Sequence, residues 1–154
     1  MIKSVALTLA FIYPISLSAA DLGVTACVAI DGDSPALHFE IQNKTASSIS
    51  IPSSNFPWRE DGAIVIAYRG DALIGKVMNR AYQIQDSVSG NVVLRSGEKQ
   101  AGELVLKYLY PEIVKLDDRS SVTILWAYTP RGYAAKDITL GGALTLRDKD
   151  RCTN

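Results

Sequence analysis

Short apolar runs separated by turn-forming residues follow one another along most of this chain, and they constrain its fold more than any other feature. Leu37, Phe39 and Ile41 alternate with polar neighbours, which is the period of a β-strand with one buried face. Counting such runs predicts about seven to nine short strands and no full helix. Because a single antiparallel sheet would leave an apolar face in water, we expect an all-β fold whose antiparallel sheets pack as a sandwich.

Three stretches refine this expectation. The runs 63–67 and 122–127 are apolar at both alternating positions, so they predict buried strands near the centre of a sheet. The segment 92–106 predicts two strands that reverse through the polar, glycine-bearing residues 95–102, with the turn fixing their register. Residues 107–116 place apolar side chains at helical spacing around a proline, which predicts one short helical turn.

The N-terminus has the composition of an export signal. A lysine near the start precedes the almost wholly apolar residues 5–17, and residues 18–20 are the small ones that a signal peptidase requires. We therefore expect residues 1–20 to be a cleaved signal peptide and residues 21–154 to form a single β-sandwich domain, periplasmic or secreted. A transmembrane anchor is the alternative, but the apolar run is shorter than the roughly 20 residues that span a bilayer and contains Pro14. No membrane insertion is expected after cleavage.

Cys27 and Cys152 are the two cysteines, and they bracket nearly the whole of the exported chain. In an oxidising compartment an even count favours a disulfide, which would place the two ends of the domain side by side. Zinc needs three or four nitrogen or sulfur ligands, and one histidine with two bridged cysteines does not supply them. We expect no metal and no cofactor.

Charge and histidine content narrow the function classes. The chain has 16 basic and 16 acidic residues, and loss of Lys3 with the signal leaves 15 against 16. A net charge near minus one with scattered basic residues argues against nucleic acid as a partner. His38 is the single histidine and lies at a polar position of a predicted strand, so a serine or cysteine triad would depend on it alone. We expect a protein that is not an enzyme, with a carboxylate hydrolase as the least favoured alternative.

A family resemblance is carried by three short motifs in the second half of the chain. These are the turn Leu94-Arg95-Ser96-Gly97-Glu98, the following Gly102-Glu103-Leu104, and the apolar strand Ile124-Leu125-Trp126-Ala127-Tyr128. Together they resemble the immunoglobulin-like β-sandwich domains of small bacterial exported proteins, and the resemblance implies that fold. The cysteines depart from the antibody pattern because they lie at the chain ends, so the resemblance implies no antibody-like or receptor-like role.

Aromatic residues in the two irregular segments are the candidate binding residues. Phe56, Trp58 and Arg59 lie in a proline-stiffened loop, and Tyr108 and Tyr110 lie in the predicted helical turn. Aromatic side chains on a restrained backbone are common interface anchors, although the same rings could instead plug the open ends of the sandwich.

The function expected from these features is non-catalytic protein binding. An inhibitor or immunity protein against an envelope-degrading enzyme is its specific form, with a protein partner of unknown identity. The alternative is an envelope assembly or adhesion subunit that acts through an exposed β-edge.

Overall fold

The computed structural model describes residues 21–31, 34–59, 62–70, 75–81, 89–116, 122–131, 139–146 and 151–152. The predicted signal peptide, residues 1–20, lies outside these residues. Within the described part of the chain, no helix is long and apolar enough to cross a membrane.

Antiparallel strands make up most of the described chain, so the all-β prediction is confirmed. The strands are β1 (Leu22–Asp31), β2 (Ser34–Asn43), β3 (Ile49–Pro52), β4 (Ile64–Arg69), β5 (Lys76–Val77), β6 (Asn91–Leu94), β7 (Lys99–Val105), β8 (Val122–Tyr128) and β9 (Leu140–Thr145). The helical elements are one short α-helix, α1 (Leu106–Leu109), and 3-10 helices at Ser53–Asn55 and Pro111–Lys115. The predicted helical turn near 107–116 is therefore present, with a break at Tyr110.

The strands form three sheets whose orders are β1-β2-β7, β3-β6 and β5-β4-β8-β9. Strands β4 and β8 are the inner strands of the four-stranded sheet, which agrees with the central position predicted for both. Side chains alternate between buried and partly exposed along β2 and β8, as expected for strands that each cover one side of a core.

The three-stranded and four-stranded sheets meet through the buried faces of β2 and β8. The ring of Phe39 meets that of Trp126 edge to face, with 5.4 Å between the centroids. Leu37 and Ile41 on β2, and Ile124 on β8, are fully buried in the same core. The alternation seen in the sequence therefore corresponds to one shared apolar core between these two sheets.

The turn between β6 and β7 differs from its prediction in two ways. It is shorter, because β7 begins at Lys99, and its two strands do not pair with each other: β6 pairs with β3, and β7 pairs with β2. Gly97 takes φ of +74° in this turn, a backbone conformation that favours glycine. Because the turn carries the chain from one sheet to another, it does not fix the register between its flanking strands.

The predicted disulfide is confirmed. Cys27 and Cys152 are bonded with an S–S distance of 2.10 Å, across a sequence separation of 125 residues. Beside it, Arg151 forms an isolated parallel bridge with Val28, and the amide of Cys152 donates to the Val28 carbonyl at 3.0 Å. The C-terminal end of the chain is therefore held against β1 by both a covalent bond and a backbone hydrogen bond.

Candidate functional site

Phe56 and Trp58 lie together in the loop that follows the Ser53–Asn55 helix. Their rings stack with centroids 4.9 Å apart and planes inclined by 22°. Phe56 is buried, and half-buried Trp58 lies directly against Gly102 of β7, where an added Cβ atom would clash with the indole carbons. The glycine in β7 therefore makes room for this ring. This packing favours the plug interpretation for Phe56 and leaves part of Trp58 accessible.

Arg59 is exposed at the end of the same loop. Its amide donates to the Phe56 carbonyl at 2.8 Å, and its own carbonyl accepts from the amide of Gly62 at 3.0 Å. These two bonds hold the loop in consecutive turns. The loop therefore presents Arg59 to solvent and leaves Trp58 partly accessible, and their role in binding stays a prediction.

The two tyrosines of the helical segment occupy opposite environments. Tyr110 is buried, and its hydroxyl donates a 2.7 Å hydrogen bond to the carbonyl of Val65 in β4. Tyr108 is 56% exposed, with the Lys107 ammonium 5.3 Å from its ring centroid. Tyr110 thus ties this segment to the four-stranded sheet, while Tyr108 is the one of the pair that a partner could reach.

The buried phenol leads to a pH-dependent prediction. Burial raises the pKa of Tyr110 above its ordinary value of 10.0. We expect Tyr110→Phe to lower the free energy of unfolding by about 1–2 kcal/mol near neutral pH, because the Val65 carbonyl loses its donor.

The stabilisation by Tyr110 should depend on pH, since its phenol ionises at lower pH in the unfolded chain than in the folded one. This stabilisation is complete below the pKa of the unfolded state and is lost as the pH rises through the pKa of the folded state. Denaturation of both proteins at about pH 8 and about pH 11 should show a smaller difference at alkaline pH. A difference that does not change with pH would contradict this assignment.

His38 lies on the outer face of the three-stranded sheet, among charged side chains. Its Nδ1 is 3.5 Å from a carboxylate oxygen of Glu103, and Lys99 pairs with Glu40 at 2.8 Å. Each of these pairs is partly exposed to solvent, which screens the interaction. Within the described residues, no group of three or more metal-ligating side chains is present. This side of the molecule is an ordinary polar sheet surface.

The outer face of the four-stranded sheet is different, and it is the strongest candidate for a binding surface. The pairing register places Ile64, Ala127 and Gly141 in one row across β4, β8 and β9. The next rows are Ile66, Leu125 and Ala143, and then Tyr68, Thr123 and Thr145, with Val77 of β5 beside Tyr68. We call these ten residues the sheet face: Ile64, Ile66, Tyr68, Val77, Thr123, Leu125, Ala127, Gly141, Ala143 and Thr145.

The sheet face is uncharged and mainly apolar, and five of its ten residues are exposed. Ile64 is 63% exposed and Val77 is 54% exposed, while Ile66 and Ala143 are also exposed. None of its ten residues is Asp, Glu, Lys or Arg. Contiguous apolar patches on soluble proteins are often functional, and they then contact another surface.

Sequence reasoning missed this surface because it assigned the second apolar side of β4 to burial. Strand β4 is central, as predicted, but Val65 and Ala67 are buried while Ile64 and Ile66 are exposed. A strand that is apolar at both alternating positions has apolar side chains on both faces of its sheet. The core buries the side chains of one face, and those of the other face need a second contact surface. The same signal, together with the lack of an amphipathic helix in the sequence, could have indicated an open apolar face.

Comparison of the chain with known protein-family models and with curated proteins finds no match.

Proposed function

We propose that this protein is a non-catalytic, exported protein-binding module, and that it binds through the sheet face. The observation that carries the proposal is the row of exposed aliphatic side chains, Ile64, Ile66 and Val77, on a face without charge. Burying such side chains against a partner gains roughly 25 cal/mol for each Å² removed from water. This gain makes protein association the simplest use of the face.

We further propose that the fold is an immunoglobulin-like β-sandwich. The order β1-β2-β7 opposite β5-β4-β8-β9 supports this, because immunoglobulin-type domains divide their strands between two sheets in this pattern. The contact between Phe39 and Trp126 supports it as well, since it joins the two sheets across the core. The separate β3-β6 pair and the terminal disulfide are departures from the antibody arrangement.

Export is the third part of the proposal. A disulfide persists in oxidising compartments and is rare in the reducing cytosol, so the Cys27–Cys152 bond supports a periplasmic or secreted location. In such a compartment, an inhibitor or immunity protein against an envelope-degrading enzyme is the specific form that we favour. Trp58, Arg59 and Tyr108 are at least partly accessible, whereas Phe56 and Tyr110 are buried and act through packing.

A pair of matched variants tests the binding role of the sheet face. Ile64→Glu places a charge on the face, and Val93→Glu places one on β6 at a position that is 58% exposed and lies outside the face. With immobilised protein and an extract of the source cell envelope, we expect the native chain and Val93→Glu to retain the same proteins. The amount of these proteins retained by Ile64→Glu should be at least tenfold lower, because the new carboxylate must be desolvated on binding.

Both variants must first show the native thermal unfolding profile, which separates lost binding from lost folding. Retention of the same proteins by Ile64→Glu and the native chain would remove the sheet face from the proposed function.

A further inference from the structure

We infer that the surface that covers the sheet face is a second copy of the same chain, related by a two-fold axis. This inference rests on the proposed function, because it concerns the same face, for which the second copy and an envelope enzyme would compete. Two properties of the face point to an identical partner, namely its charge and its relief, and its size limits how tightly two copies bind.

The charge of the face suits pairing with itself. In a two-fold interface the same patch is present on both sides, so a charged residue near the axis meets its own copy and is repelled. The sheet face has no charged residue, and therefore two copies meet without like-charge contact. The outer face of β1-β2-β7 does not meet this condition, because Glu40, Lys99 and Glu103 lie on it.

The relief of the face is also self-complementary. Ile64 and Ile66 form a ridge along β4, whereas Gly141 and Ala143 form a trough along β9. Strand β8 lies between them in the sheet. If a two-fold axis lies in the interface and runs parallel to β8, β4 of each copy faces β9 of the other. The ridge of each copy then packs into the trough of the other. Residues of β8 then face their own counterparts, with Leu125 at the centre.

The size of the face determines how tight this dimer is. Strands about 4.8 Å apart and side-chain rows about 7 Å apart give a footprint on the order of 300 Å². Stable interfaces commonly bury about 800 Å² on each partner, so the face is well below that size and falls in the range of weak, transient contacts. We therefore expect a reversible dimer that dissociates in the micromolar range, not an obligate one.

Sedimentation equilibrium of the disulfide-bonded protein tests the inference directly. Between about 5 and 500 µM the native chain should approach twice its monomer mass, as expected for a small interface. Val93→Glu should behave in the same way, and Ile64→Glu should stay monomeric over the whole range. A native chain that is monomeric at every concentration would overturn the inference.

A crosslinking experiment tests the axis itself. A Leu125→Cys variant treated with a short bis-maleimide should give a covalent dimer in high yield, and Val93→Cys should give none above background. Equal yields from the two variants would overturn the axis along β8. Both variants should first keep the native thermal unfolding profile.

The two proposals fail in distinguishable ways. A native chain that is strictly monomeric, but whose captured envelope protein is lost on Ile64→Glu substitution, would overturn the second copy as partner and leave protein binding by the face supported. A monomer whose capture is also unaffected by Ile64→Glu would overturn both proposals.

Discussion

Replacing both Cys27 and Cys152 by alanine is expected to lower the free energy of unfolding by about 5 kcal/mol. The bond closes a loop of 125 residues, so it restricts almost the whole of the unfolded domain. In the chain-entropy description, the stabilisation by a disulfide grows with the length of the loop that it closes. A loss of this size is comparable to the whole stability of many small domains.

Loss of the disulfide should also loosen the contact between the C-terminal end and β1. Cys152 follows Arg151, whose bridge with Val28 is the one described contact of the C-terminal end with β1 in the strand pairing. Without the covalent bond, the strand pairing described between this end and β1 is this bridge together with the hydrogen bond from the Cys152 amide to the Val28 carbonyl. Hydrogen exchange at the Cys152 position, whose amide donates to the Val28 carbonyl, should accelerate in the variant.

Denaturant titration under oxidising and reducing conditions measures this effect. The native chain should lose stability on reduction to the level of the double alanine variant, and the variant itself should not respond to the reductant. If the oxidised native chain and the variant unfold at the same denaturant concentration, the bond contributes little to the free energy of unfolding.

Replacing Asn43 by alanine is expected to lower the free energy of unfolding by about 2–4 kcal/mol. Asn43 ends β2 and is fully buried, and its side chain uses both its donor and its acceptor groups. The amide nitrogen donates to the Leu94 carbonyl at 3.0 Å and to the Ser47 carbonyl at 2.7 Å. The side-chain oxygen accepts from the amide of Thr45 at 2.9 Å and from its hydroxyl at 2.7 Å.

The backbone of Asn43 makes the same junction stronger. Its amide donates to the Glu98 carbonyl at 3.0 Å, and its carbonyl accepts from the amide of Gly97 at 2.8 Å. One residue therefore connects the end of β2, the loop before β3, the end of β6 and the turn before β7. Alanine would remove the side-chain donor to the Leu94 and Ser47 carbonyls and the acceptor for Thr45, and each intramolecular hydrogen bond that is lost costs about 0.5–1.5 kcal/mol.

Gln42→Ala is the matched control for this prediction. Gln42 is a neighbouring amide on β2, and its exposed side chain makes a single 3.4 Å bond to the Gly97 carbonyl. We expect its replacement to change the stability by less than about 0.5 kcal/mol. Guanidinium unfolding of both variants checks the comparison. The dependence of the unfolding free energy on denaturant concentration should be the same for each of them. Similar losses from the two variants would contradict a special role for Asn43.

The burial of Asn43 also bears on a sequence motif that would otherwise indicate glycosylation. Asn43, Lys44 and Thr45 spell an acceptor site for N-linked glycosylation. The side-chain nitrogen that would carry the sugar is buried and donates two hydrogen bonds in the folded domain. The motif is therefore a structural junction here, and the sequence pattern does not reveal this, because the partners of Asn43 lie on distant segments.

Local patterns predicted the elements of the fold well where one buried face imposes a period of two. Strand β2 was predicted from alternation and β8 from a run that is apolar at both alternating positions, and the buried residues of both strands follow a period of two. The helical turn was predicted from spacing around Pro111. The disulfide followed from the cysteine count, and this inference requires no geometry.

The candidate site was predicted poorly for a physical reason. An aromatic residue in a loop has the same sequence signal whether it packs inward or faces a partner, so Phe56 and Trp58 could not be distinguished in advance. Tyr108 and Tyr110 are two residues apart, yet one is exposed and the other donates to a carbonyl of β4. The direction of each ring depends on which strand lies next to it.

The sequence by itself determined that the chain is all-β, where most of its strands lie and that its two cysteines pair, because these properties depend on local periodicity and on counting. The tertiary structure decided which strands are neighbours. It separated β6 from β7 into different sheets, buried Asn43 at their junction and left Ile64 and Ile66 exposed on the outer side of β4. Strand pairing sums many weak contacts between residues far apart in sequence, and no local pattern contains that sum.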